Sequence, residues 1–137
     1  MKGSVNLRDL FEEHHPQVQF LNIYINEAHP VDGWWLGKGF WKWAVKLYSP
    51  KVAMDIYAHK TMKERRMAAG QCEDALQYGI HIYVDEMDDA VSKAYAAHPT
   101  RLYLIGVDGK VVYAAGLGPF GFHPRELGEA IEKYLKR

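Results

Sequence analysis

The stretch HPTRLYLIGVDGKVVYAAG (residues 98–116) carries two apolar runs of strand composition on either side of Asp108-Gly109. An Asp-Gly pair between such runs is the strongest short signal for a hairpin, because glycine reaches the positive φ that a tight turn needs. After the hairpin, Pro124 stands at a good first helical position. Leu127, Ala130, Ile131, Tyr134 and Leu135 then trace one face of a terminal helix. Working back along the chain, IHIYVD (80–85) reads as a strand and DDAVSKAYAA (88–97) as a helix. Residues 60–78 read as another helix, with Thr61 and Glu64 at capping-box spacing and Gly79 as its stop. VQFLNIYI (18–25) is apolar almost throughout, as expected of a strand covered on both faces. Leu7, Leu10 and Phe11 predict a short amphipathic helix over 5–14 that ends before Pro16. The order α-β-α-β-α-β-β-α predicts an α/β fold, a mixed sheet with helices on both faces. Its site is expected at the carboxyl ends of the parallel strands.

At 137 residues the chain is one domain by size, with an aromatic-rich insert at about 33–54. Lys+Arg and Asp+Glu both number 17, so no global field recruits nucleic acid. No apolar run approaches the roughly 20 residues of a membrane helix, and the N-terminus has no signal-peptide core, so a cytoplasmic location is the default expectation. The single cysteine, Cys72, excludes an internal disulfide. It falls on the apolar stripe of the 60–78 helix with Ala68, Ala69 and Leu76, where a buried, inert thiol is expected.

The first strand ends in YINEAHPVDGW (24–34), which delivers Glu27 and His29 to its tip. Strand alternation puts both on one side if it continues that far. A histidine there can relay a proton, and a carboxylate two residues away can orient it. The plain alternative is a strand-end histidine satisfied by backbone. His14, His15, His81, His98 and His123 read as surface or capping residues, and no metal-ligand spacing joins Glu27, His29 and His59.

Several blocks resemble known families. His98-Pro99-Thr100 leading into a hairpin and a terminal helix resembles the thioredoxin-like superfamily, whose proline at this place is usually cis and lies against the reactive thiol. A trans proline ending a helix is the other reading. YINEAHPVDGW resembles the signature of the iodothyronine deiodinase family. The run His59 to Arg65 resembles its H-x-x-x-x-x-R, VDEMDDAVSKAYAAHPTRLYLI (84–105) its central block, and Gly116-x-Gly118-Pro119 with Gly121-Phe122 its G-x-G-P-x-G-Y turn. The resemblance implies a thioredoxin-like enzyme that removes halogen reductively with a selenocysteine or cysteine nucleophile. Carried over position by position, Glu27, His29 and His59 would be catalytic. Tyr24, Trp34, Pro99 and Thr100 would meet the substrate, a small halogenated aromatic or a thiol or disulfide. No cofactor is expected to be bound; an external thiol reductant would supply electrons.

The departures are informative too. The family's G-S-C-T-(Sec/Cys)-P-P-F segment does not occur in these residues, nor does the strand before it, which is central in a thioredoxin-like sheet. The chain is therefore expected to be the downstream piece of a longer protein and inactive alone. A selenocysteine codon taken as a stop would produce such a start. Without that strand its neighbours must close together, leave a gap, or borrow a strand, for instance in a homodimer. Leu117 stands where vertebrate-type turns carry an arginine, and Asp89 where the family has Asn. The insert GWWLGKGFWKWAVKLYSPK (33–51) holds all four Trp among interleaved lysines; it reads as a local lid, with an aromatic pocket, a partner surface or a membrane-interface segment as alternatives. A non-catalytic interaction domain and a peroxiredoxin-like thiol peroxidase fragment are the competing functions.

Overall fold

In the computed structural model the described residues are 6–27, 58–77 and 79–136. Asn6 opens the first helix, α1 (Leu7–His14), by accepting from the Asp9 N–H while the Asp9 carboxylate accepts from the Asn6 N–H. This reciprocal cap is why the helix begins at 7 and not at 5. Strand β1 (Asn22–Tyr24) follows, then helix α2 (Met62–Leu76). The expected box at its start is present: Glu64 N–H donates to Thr61 Oγ1 at 3.3 Å, and Thr61 N–H to Glu64 Oε2 at 3.2 Å. Gln77, not Gly79, ends the helix, in a left-handed conformation (φ 49°) with its N–H on Glu73 O.

Strand β2 (Ile82–Val84) runs parallel to β1, with Ile23 opposite Tyr83. Helix α3 (Ala90–Ala94) is shorter than the predicted 88–97 because left-handed residues bracket it, Asp89 (φ 58°) and Ala96 (φ 44°). Strands β3 (Tyr103–Ile105) and β4 (Val111–Ala114) form the predicted antiparallel hairpin. Its turn is wider than the Asp-Gly pair alone: Gly109 (φ 78°) donates to Gly106 O, and Gly106 N–H donates to Lys110 O. A type I turn closed by a left-handed glycine has this form. Helix α4 (Pro124–Leu135) starts with proline at its first position and presents buried Leu127 and Ile131.

Leu10, Leu104, Leu127 and Ile131 make the core, so α1, β3 and α4 share one apolar centre. Val18 and Phe20, just ahead of β1, pack against the same cluster. Hydrophobic contact thus joins α1 and the lead-in to β1 with the hairpin and α4, whereas no strand ladder links the two sheets among the described residues. Among the described residues β1 pairs with β2 and β3 with β4, giving two two-stranded sheets in place of the single mixed sheet expected. Among the described residues each of β1 and β3 has a partner on one edge only. Nor is β1 covered on both faces: Leu21 and Ile23 are exposed, as is Tyr83 across from Ile23.

Candidate active site

Tyr24 is the last residue of β1, and its carbonyl accepts from the Asp85 N–H at 2.9 Å, extending the ladder to β2. Its hydroxyl donates to Glu27 Oε2 at 3.0 Å. His59 lies two residues before the Thr61 cap of α2 and sets its ring 5.8 Å from the Tyr24 ring, tilted by 53°. Both imidazole nitrogens are buried without a hydrogen-bond partner, as is Asn26 Oδ1. The structure therefore gathers Tyr24, Glu27 and His59 at the carboxyl end of β1, where the topology leads one to look.

The electrostatics of the three groups differ. Burial holds His59 below the ordinary histidine range; the nearby Glu27 carboxylate works against this and Arg65 reinforces it. Burial pushes the Tyr24 hydroxyl up, and Glu27 pushes it further by charge and by accepting its proton. At neutral pH the cluster is a phenol donating to a carboxylate beside a neutral imidazole. Such an imidazole can take a proton from an acidic group placed against it and pass it on.

Cys72 is half-buried, not fully buried as expected. Burial first, and then the Glu27 charge, raise its thiol, which keeps it protonated at neutral pH and weakly nucleophilic. His14, expected as a surface or capping residue, is buried at the end of α1, whereas His81 is exposed and pairs with Glu73.

Pro99 and Thr100 lie in the segment that leads into β3 of the other sheet. The His98–Pro99 peptide is cis, as is Gly118–Pro119. The Gly118 N–H donates to Thr100 O at 2.9 Å, and a Cβ on Gly118 would overlap the Thr100 methyl group. This close approach seats the 116–122 turn on Thr100, with Leu117 half-exposed and Phe120 91% exposed at its tip. His29, Trp34 and the Trp-rich insert lie outside the described residues. No group of three or more His, Cys, Asp or Glu placed to hold a metal occurs among the described residues. No helix among them is long and apolar enough to cross a membrane.

One arrangement was not foreseen. Arg65, buried to 3% exposure, reaches the backbone of Asp85 and Glu86 and the carboxylate of Asp89. Its only trace in the sequence is the six-residue spacing from His59.

The sequence model described as Iodothyronine deiodinase matches residues 4–135. The chain belongs to the iodothyronine deiodinase family. Membership implies a thioredoxin-like fold, with which the mixed α/β architecture agrees. The chain is 36% identical over 118 residues to thyroxine 5-deiodinase of Aquarana catesbeiana, covering 86% of this chain and 38% of that protein. It is 35% identical over 125 residues to the Rattus norvegicus thyroxine 5-deiodinase, with 91% and 36% covered. To the type I iodothyronine deiodinase of Xenopus laevis it is 32% identical over 124 residues, with 90% and 43% covered. The chain thus spans well under half the length of these deiodinases.

Proposed function

We propose that these residues form the acid–base half of a reductive dehalogenase site that acts on a small iodinated or otherwise halogenated aromatic. The observation that carries the reading is the cluster at the end of β1: a neutral His59, its ring nitrogens buried, against a Tyr24 phenol that donates to Glu27. Replacing halogen on carbon by hydrogen consumes two electrons and one proton. In this reading an external thiol supplies the electrons and His59 handles the proton. It takes that proton from a selenol or thiol nucleophile. The chalcogenide then bonds to the halogen as the carbon–halogen bond breaks, and the proton goes to the carbon. The external thiol attacks the chalcogen and releases halide. His29 is the second acid–base candidate.

The nucleophile is not Cys72, whose thiol is held protonated. We assign it to a segment of the G-S-C-T-(Sec/Cys)-P-P-F type, on a strand entering between β1 and β3, the two strands paired on one edge only among the described residues. Completing the sheet this way satisfies backbone groups that would otherwise invite non-native pairing. The half-exposed Leu117, in place of an arginine, favours a substrate with no anionic group at that end.

The test extends the chain at its N-terminus by such a strand and measures iodide release with a dithiol reductant, alongside thiol-dependent peroxide reduction. Iodide release that depends on His59 supports the dehalogenase reading. Peroxide reduction alone moves the assignment to a thiol peroxidase, and neither activity leaves a non-catalytic interaction domain.

A further inference from the structure

An arginine as buried as Arg65 ordinarily occurs only with its charge paired and its donors used. Arg65 Nη1 lies 2.6 Å from Glu86 O, 3.3 Å from Asp85 O and 2.9 Å from Asp89 Oδ1. The last is a charge contact without hydrogen-bond alignment, and Nε is buried without a partner. Asp89 occupies the N-cap position of α3 but makes no cap there. The buried carboxylate of Asp85 takes that role, accepting from the N–H groups of Glu86, Val91 and Ser92 at 2.8–3.0 Å. Asp89 is thereby released to face Arg65, from a left-handed backbone that short Asx side chains tolerate.

The network leads to the candidate site by two short routes. Arg65 grips the carbonyl of Asp85, whose N–H is bonded to the Tyr24 carbonyl. On its own element, Arg65 N–H closes the first turn of α2 onto Thr61 O, two residues from His59. Arg65 thus ties the segment that carries His59, through its main chain, to the strand end that carries Tyr24, through its guanidinium.

We propose that Arg65 is a positioning residue for the site, holding His59 against the Tyr24–Glu27 pair, and that Asp89 sets how much of its positive charge the site feels. The proposal rests on His59 being the acid–base group. The groups facing His59 are Tyr24 and Glu27 from the end of β1, and Glu64 and Arg65 from α2. Glu27 and Glu64 favour its cationic form; burial and Arg65 oppose it.

The test is the titration midpoint of the His59 ring protons by NMR in the 137-residue chain, assigned with His59→Gln. Asp89→Asn keeps a residue suited to the left-handed backbone and removes the carboxylate that offsets Arg65. It should lower the His59 midpoint by about 0.3–0.5 units, the effect of one partly solvated charge. Arg65→Gln should raise it, and Arg65→Lys should stay closer to the parent than Arg65→Gln. A purely structural role predicts otherwise: loosening the network by either route would hydrate the imidazole and raise the midpoint. An unchanged or raised midpoint in Asp89→Asn therefore overturns the proposal, and that variant decides the matter even if Arg65→Gln fails to fold. The readout needs no turnover, so absence of dehalogenation would count against the proposed function alone.

Discussion

The Tyr24 hydroxyl donates to the Glu27 carboxylate at 3.0 Å, across a separation of three residues in which the chain leaves β1. A strand would carry these side chains to opposite faces, since alternation places residues an odd number apart on different sides. The bond therefore records a bend of the chain after residue 24 and holds it. Tyr24→Phe keeps the ring against His59 and removes only the donor. It should cost about 1–2 kcal/mol, the range for a hydrogen bond to a charged acceptor that is only part-buried. Urea unfolding checks this, and a loss below a few tenths would mean the bond contributes nothing to the bend.

His59 makes stability depend on pH with a definite sign. Its folded pKa lies below the unfolded value of 6.5, so between the two the unfolded chain binds more protons and stability rises with pH. The contribution is complete above about 6.5 and is lost as pH falls through the depressed folded value. Replacing His59 with Phe, which cannot titrate, should flatten this part of the stability profile below about pH 6.5. Denaturant midpoints measured at intervals of half a unit would show it, and an unaltered slope would mean that another histidine carries the dependence.

What could be read from the sequence was local. The Thr61–Glu64 box, the turn at Asp108-Gly109 and Pro124 at a helix start depend on residues within four positions of each other, so their chemistry is written in the spacing. Tyr24, Glu27 and His59 follow from the family resemblance and not from spacing, and the structure brings these three together. What escaped was long-range. Asp89 and Arg65 are 24 residues apart, and Asp85 caps α3 from six and seven residues upstream, a reach no helix signal encodes. The division into two sheets escaped for a related reason: apolar strands announce that they pair, not with which neighbour. For Cys72 the helical stripe correctly indicated an inward lean, but stripe position alone does not set depth.

Cys72 should behave as an unactivated thiol. With its pKa raised by burial and by Glu27, its thiolate fraction at neutral pH falls below that of a free cysteine. Reaction with an aromatic disulfide reagent at pH 7 should be slower than for glutathione by at least about tenfold. Glu27→Gln should speed it, because one of the two causes is removed. Labelling as fast as that of a free thiol would reopen Cys72 as a nucleophile.

The Asp85 carboxylate separates two effects of one substitution. Asp85→Ala leaves the Val91 and Ser92 N–H groups at the start of α3 without an acceptor and should cost about 2–4 kcal/mol. Asp85→Asn retains one oxygen and should cost clearly less. If both lose equally, the charge and not the cap is what this buried position requires; chemical denaturation of the two variants gives the comparison.

The approach of Gly118 to Thr100 is tight enough to be tested by a double-mutant cycle. A Cβ at 118 would overlap the Thr100 γ-methyl, and its next contact, Thr100 O at 3.4 Å, is ordinary in length. Gly118→Ala should therefore cost about 1–3 kcal/mol, as overpacking does. Thr100→Ser removes that methyl while keeping the backbone carbonyl that accepts from Gly118. In the Thr100→Ser background the alanine should be accommodated, giving a favourable coupling of about 1 kcal/mol or more between neighbouring sites. Because the contact seats the 116–122 turn, the single alanine variant should also displace Leu117 and Phe120, seen as shifted side-chain NMR signals that return in the double variant. Additive losses with no return would show that the turn is held by its own backbone bonds, Gly121 N–H to Leu117 O at 2.8 Å and Phe122 N–H to Pro119 O at 3.3 Å, and not by its fit against Thr100.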